Sequence, residues 1–97
     1  MPESEPSVRV VDNPDKERYE AYVGDDLAGF VTYRTGPGAV VLIHTEVDDA
    51  FEGHGVGGHL AAGALDDLRA RGFKVAPLCP FIVRYIERHP EFSDLVA

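Results

Sequence analysis

The sequence predicts an α+β (mixed α/β) fold in which antiparallel strands lead into a strand-helix-strand unit and a terminal helix. Three features carry this reading. Alternating or wholly apolar runs punctuated by Gly, Pro, Asn and Asp fill the first half of the chain. A glycine cluster then opens an apolar ladder of helical period. After it come a short β-compatible run and a proline-initiated apolar face. At 97 residues the chain has the size of one domain, placed at 8-97, which buries a core without staples.

Residues 1-7 hold two prolines, two glutamates and two serines without apolar periodicity, and are expected to be a flexible tail. Val8-Arg-Val-Val-Asp12 is a first strand, closed by Asn13-Pro-Asp15. Tyr19 to Val23 and Leu27 to Tyr33 flank Gly24-Asp-Asp26, which predicts a hairpin with a three-residue loop. Thr35-Gly-Pro-Gly38 turns the chain into the strongest strand, Ala39 to Val47. That strand starts apolar on both faces and ends polar, with His44 and Glu46 sharing a face by two-residue alternation. Beyond the acidic loop Asp48-Asp-Ala-Phe-Glu52, the residues Leu60, Ala61, Ala64, Leu65 and Leu68 mark the buried side of a helix of about 14 residues, stopped by Gly72. Phe73 to Ala76 returns as a strand parallel to the one before, by a right-handed crossover. A second helix begins with Pro80, buries Phe81, Ile82, Tyr85 and Ile86, and stops at His89-Pro90. The helices are expected on the faces of the sheet.

Seventeen acidic against nine basic residues give a net charge of −8, the wrong sign for phosphate-backbone binding and an argument against a nucleic-acid partner. The single cysteine, Cys79, makes neither an internal disulfide nor a Cys-rich metal cage. No apolar run approaches ~18 residues and the start lacks the pattern of a signal peptide, so no membrane partner is expected and the cytoplasm is the default location. His54, His59 and His89 lack tight ligand spacing, and no metal is expected.

Gly53, Gly55, Gly57 and Gly58 stand between a strand and a helix that has no Ser, Thr, Asp or Asn cap. The first-turn N–H groups therefore lack a side-chain acceptor, and an anionic ligand is a natural completion; the alternative is a tight loop whose N–H groups are left to water. A triphosphate P-loop fails, because Gly58-His59 stands where Lys-Ser/Thr is required. Residues 53, 55 and 58 match Gly-x-Gly-x-x-Gly, yet Leu78-Cys-Pro80 stands where a dinucleotide fold expects an acid. A third reading is the pyrophosphate loop of a coenzyme A-dependent acetyltransferase, which follows an antiparallel meander in the order deduced above.

Five segments in order carry a family resemblance: Ile43-His-Thr-Glu-Val47, Glu52-Gly-His-Gly-Val-Gly-Gly58, Arg71-Gly72, Pro77-Leu-Cys-Pro-Phe81 and His89-Pro-Glu-Phe92. Across roughly residues 19 to 96 the chain resembles the short, single-domain branch of the GNAT N-acetyltransferase superfamily. The resemblance implies an acetyl-CoA-dependent N-acetyltransferase acting on an unidentified amine acceptor. It also implies that acetyl-CoA lies in a V-shaped gap where the two parallel strands splay, which Pro77 would help to open because it cannot donate to a ladder. Backbone groups around Thr45, Glu46 and Val47 would hold the pantetheine arm, and Gly53, His54, Gly55, Val56, Gly57 and Gly58 the pyrophosphate. Glu52 departs from the family's Arg or Gln. Longer relatives wall the acceptor site with an N-terminal helical pair, for which there is no room between Asp12 and Tyr19, so an open acceptor site is expected. A CoA-binding or structural module without turnover is the alternative.

Acetyl transfer needs a deprotonated nucleophile, donors for the oxyanion and a proton for the leaving thiolate. His44 is the candidate base with Glu46 as helper, against a strand histidine that serves only structure. Cys79 precedes Pro80 and would sit at a positive helix end that favours thiolate, against a small buried hydrophobe. Tyr85 is a further candidate acid, because many relatives use a tyrosine on this helix. Direct attack by the amine, with Cys79 as a site residue, is preferred to an acetyl-cysteine intermediate.

Overall fold

The computed structural model describes residues 7-97 of the chain. The expected tail, residues 1-7, lies outside the described residues except for Ser7, which is exposed. Five strands, β1 (Val8–Asn13), β2 (Arg18–Val23), β3 (Asp26–Gly36), β4 (Ala39–Val47) and β5 (Lys74–Pro77), form one sheet in the order 1-2-3-4-5. The first four run antiparallel, and β4 and β5 run parallel across the helix α1 (Val56–Ala70). A second helix, α2 (Pro80–Arg88), follows. The α+β order read from the sequence is the observed one.

The helices form where their signals stand. Val56, Leu60, Ala61, Ala64, Leu65 and Leu68 are all buried along α1, a stripe of the 3.6-residue period. The helix closes with Gly72 N–H on the Arg69 carbonyl (3.0 Å) and Phe73 N–H on the Leu68 carbonyl (2.9 Å), which satisfies two of its orphan acceptors. Pro80 occupies the first position of α2, whose Ile82 and Ile86 are buried while Phe81 and Tyr85 are half-buried.

Several expectations are revised. The β2-β3 connection is a two-residue turn, Gly24-Asp25, because Val23 pairs with Asp26; a bulge at Ala28 takes up the offset. Strand β3 runs to Gly36 and pairs with Ala39 across Pro37-Gly38. Both helices take the same face of the sheet, and they touch where Gly57 meets the Phe81 ring. Part of the acidic loop is a short 3₁₀ turn, Asp49–Phe51, capped by the Asp48 carboxylate accepting from the Ala50 N–H at 2.9 Å. The chain also keeps folding beyond His89-Pro90. Pro90–Leu95 forms a 3₁₀ segment that buries Phe92 and Leu95, and Val96 extends the sheet beside Val75.

Among the described residues no helix covers the other face of the sheet, and side chains cover it instead. Cross-strand pairing lines up Asn13, Arg18, Thr32 and His44 in one row and Val11, Glu20, Phe30 and Glu46 in the next. Glu20 is only 3% exposed. It accepts from Arg18 Nε (2.7 Å), Asn13 Nδ2 (3.0 Å) and the Tyr22 hydroxyl (2.8 Å), while the Arg18 guanidinium lies over the Phe30 ring. Burial alone would push the Glu20 carboxyl up; the hydrogen bonds from Arg18, Tyr22 and Asn13 outweigh it and hold the group below its ordinary value.

At the far end, the Tyr19 hydroxyl donates to Asp67 and the Tyr33 hydroxyl to Asp12, both at 2.6 Å, and Arg71 bridges the two carboxylates. This network ties α1 to β1, β2 and β3.

Candidate functional site

Ladder pairing between β4 and β5 ends at Leu42 and Pro77. There Leu78 N–H and Cys79 N–H both donate to the Leu42 carbonyl, at 2.9 and 3.1 Å. Strand β4 continues through Val47, so Ile43–Val47 has no ladder partner on the β5 side. That is the expected gap, opened where proline removes a donor.

A bulge sets which β4 side chains enter it. Thr32 pairs with His44 and Tyr33 with Leu42, which leaves Ile43 as the extra residue. Val40 and Leu42 face the helices before the bulge, and Thr45 faces them after it, opposite the buried Val31. His44 and Glu46 point to the open face, with His44 Nε2 3.5 Å from Glu46 Oε2, both well exposed. The pairing expected from alternation is present, on the side of the strand opposite Thr45.

Thr45 meets Cys79. The two are 34 residues apart in sequence, and Thr45 Oγ1 lies 3.2 Å from Cys79 Sγ. Cys79 is the N-cap residue of α2 and 4% exposed. Burial pushes its thiol up; the Thr45 hydroxyl and the backbone N–H groups of Ile82, Phe81 and Thr45 more than offset this, so the thiol lies below its ordinary value.

The glycine segment borders a cleft of about 360 Å³ lined by Val47, Phe51, Glu52, Gly53, Gly55, Val56, Gly57, Gly58 and Phe81. Gly55 is the N-cap of α1 with φ 74° and makes no side-chain cap bond, so the first N–H groups of the helix have no side-chain acceptor, as the sequence suggested. A Cβ on Gly57 would stand 2.8 Å from Phe81 Cζ, so this glycine makes room for the neighbouring helix as well as for the cleft. Glu52 is exposed and contributes to the lining. Of the expected loop residues, His54 is exposed and outside the lining.

Tyr85 stands elsewhere. It lines an adjoining cleft with Gly58, Phe81, Arg84, Arg88 and His89, and its ring stacks on His89 with centroids 4.0 Å apart. Burial, then Glu91 and Asp66, raise its phenol further, so it is protonated at neutral pH. Sequence reasoning missed the Thr45-Cys79 pair and the place of Phe81; only the proximity of β4 to the start of α2 reveals them.

Among the described residues no group of three or more His, Cys, Asp or Glu side chains comes together as a metal site. No helix of the described residues is long and apolar enough to cross a membrane.

Comparison with known proteins fits this geometry. The chain is 40% identical over 55 residues to protein NATD1 of Xenopus tropicalis, which is 57% of this chain and 50% of that protein. It has the same identity over 55 residues with protein NATD1 of Homo sapiens, where the match covers 49% of the relative. The chain thus spans about half the length of these relatives. The solution structure of a GCN5-like protein from Staphylococcus aureus superimposes with a TM-score of 0.68 at 22% identity, covering 98% of this chain and 91% of that one. The model of the family described as GCN5-related N-acetyl-transferase matches residues 18–95, which takes in the meander, the glycine segment, Cys79 and α2. The chain belongs to the GCN5-related N-acetyltransferase family.

Proposed function

We propose that this protein transfers an acetyl group from acetyl-CoA to an amine, with Cys79 at the reacting thioester. The observation that carries the proposal is the Cys79 thiol at the start of α2, 3.2 Å from the Thr45 hydroxyl and set where β4 and β5 separate. The residues present fit the cosubstrate. Uncapped N–H groups of Val56, Gly57 and Gly58 would hold its pyrophosphate at the positive end of α1, Gly53 and Gly55 leave that approach open, and the Thr45–Val47 stretch of β4, which has no ladder partner on the β5 side, would lie along a pantetheine arm. Acetyl-CoA supplies the activated acyl group.

Stabilisation of a thiolate at Cys79 favours the covalent route over the direct attack preferred from sequence. Cys79 attacks the thioester carbonyl; its new C–S bond forms as the bond to the CoA sulfur breaks, and the CoA thiolate leaves and takes up a proton. The amine then attacks the acetyl-cysteine through the gap beside Ile43–Val47, its C–N bond forming as the bond to Cys79 breaks. His44, backed by Glu46 on the open face of the sheet, receives the amine's proton at the outer side of that gap. Tyr85 belongs to the wall of the adjoining cleft in place of the proton-donor role expected from sequence.

Intact-mass measurement after exposure to acetyl-CoA without acceptor tests this. One added acetyl group on the wild type and none on Cys79→Ala are expected, and His44→Gln should still acetylate but pass the group to an amine ~10²–10⁴-fold more slowly. Turnover with a free thiol would instead establish direct attack. CoA binding with neither acetylation nor CoA release would mean a binding module without turnover.

A further inference from the structure

Beyond the glycine segment lies a second cleft, of about 260 Å³, lined by Gly58, Phe81, Arg84, Tyr85, Arg88 and His89. It shares Gly58 and Phe81 with the first, so the two form one continuous surface across the start of α1. Arg84 and Arg88 stand one helical turn apart on α2, both exposed, at the spacing that places side chains side by side.

Arg9, Arg34, Arg84 and Arg88 have no carboxylate at ion-pair distance among the described residues, and of these Arg84 and Arg88 share one cleft. Arg18, Arg69 and Arg71 each pair with a carboxylate, at 2.7, 2.9 and 3.1–3.2 Å. Neither Arg84 nor Arg88 has an ion-pair or hydrogen-bond partner among the described residues, in a protein with 17 acidic side chains. Asp66 and Glu91 act on Tyr85 from nearby, but neither lines the cleft. His89 Nδ1 lies 2.9 Å from the Tyr85 carbonyl, which only accepts, so that nitrogen carries the proton and Nε2 is left for another partner. Two guanidinium groups beside Phe81, Tyr85 and His89 suit a ligand part that combines a flat base with a phosphate dianion.

We infer that Arg84 and Arg88 bind the 3′-phosphate of coenzyme A and so select the 3′-phosphorylated cosubstrate. The inference rests on the reading of the glycine cleft as the pyrophosphate site. With the pyrophosphate at Val56-Gly58, the pantetheine arm leaves toward β4, and the nucleoside leaves the other way, past Gly58 and Phe81 into the cleft with the arginines. Pairing with a phosphate monoester gives each guanidinium the anionic partner that the fold does not supply.

Binding of CoA and of 3′-dephospho-CoA to the full chain, by calorimetry on the wild type and on the double variant Arg84→Gln/Arg88→Gln, tests this. The wild type should bind CoA at least about tenfold more tightly than dephospho-CoA. The double variant should bind the two equally, at the wild-type level for dephospho-CoA, with its melting temperature unchanged. Each single variant should lose part of the preference. Equal binding of the two ligands by the wild type, or an undiminished preference in the double variant, overturns the assignment while leaving the pyrophosphate site standing. A wild type that binds neither ligand overturns the reading of the glycine cleft itself, and the arginine assignment with it.

Discussion

Replacing Thr45 with valine keeps the branched shape and removes the one side-chain hydroxyl that meets Cys79 Sγ, at 3.2 Å. A hydrogen bond to a charged group contributes ~1.5–3 kcal/mol. Burial, which opposes the thiolate, is left facing only the N–H groups of Ile82, Phe81 and Thr45 itself. At about 1.4 kcal/mol per decade, the thiolate fraction below the titration range should fall roughly 10–100-fold. The assay is the rate of iodoacetamide alkylation of Cys79 in the free protein as a function of pH. In Thr45→Val the curve should move to higher pH, with the rate at neutral pH down by that factor and the alkaline plateau kept. The sign carries over to stability. A depressed thiol in the folded state adds stability that is present above the unfolded thiol value and is lost as pH falls through the folded one, so the rise in melting temperature toward alkaline pH should be smaller in the variant. An alkylation profile identical to wild type would refute the role given to Thr45.

Three other outcomes follow from the geometry. Glu52→Gln removes a carboxylate from the mouth of the glycine cleft and should tighten CoA binding by up to about fivefold at low salt, less as ionic strength rises; unchanged affinity in titration calorimetry would place that carboxylate out of reach of the ligand. Gly57→Ala drives a methyl into the Phe81 ring and should cost ~1–3 kcal/mol in urea unfolding, largely restored by adding Phe81→Leu; a second change that only adds to the loss would contradict the contact. Glu20 is held below its ordinary carboxyl value, so its contribution is complete above that ordinary value and lost as pH falls through the folded one. Glu20→Gln should therefore lower stability by ~1–3 kcal/mol at pH 7 and flatten the acid limb of the melting curve, and an acid limb as steep as that of the wild type would count against the Asn13-Arg18-Tyr22 shell as its cause.

What was legible in the sequence was what repeats locally. The α1 stripe from Leu60 to Leu68, the Gly72 stop and Pro80 at the first position of α2 all depend on neighbours within a few residues, and the structure reproduces them. Features that depend on residues far apart were not legible. Alternation along Ala39 to Val47 gives no sign that Ile43 is an extra residue, because both of its neighbours fit an unbroken strand. Glu20 reads as a solvent-facing acid until Asn13, Arg18 and Tyr22 converge on it. Pro90–Leu95 lacks the length for a helical period, and its place is fixed by Arg69 reaching Asp94 at 2.9 Å. For the site, chemical identity was readable at Cys79 and in the glycines, whereas the Thr45 contact and the setting of Tyr85 needed the packing of α2.

The extra residue at Ile43 divides β4 into two halves that are out of phase. Before it, even-numbered side chains face the helices; after it, odd-numbered ones do. A chain shortened by that one residue would regain an unbroken alternation and keep the occupants of the two sides, because Leu42 would still pair with Tyr33 and His44 with Thr32. Closing the bulge at full length does the opposite: Ile43 would then meet Thr32 and His44 would meet Val31, turning His44 inward and Thr45 away from Cys79. One residue of excess in β4 over β3 thus decides the side on which residues 44 to 47 stand, so in any set of variants this position should tolerate replacement and even removal, whereas a slip of register beyond it should not be tolerated.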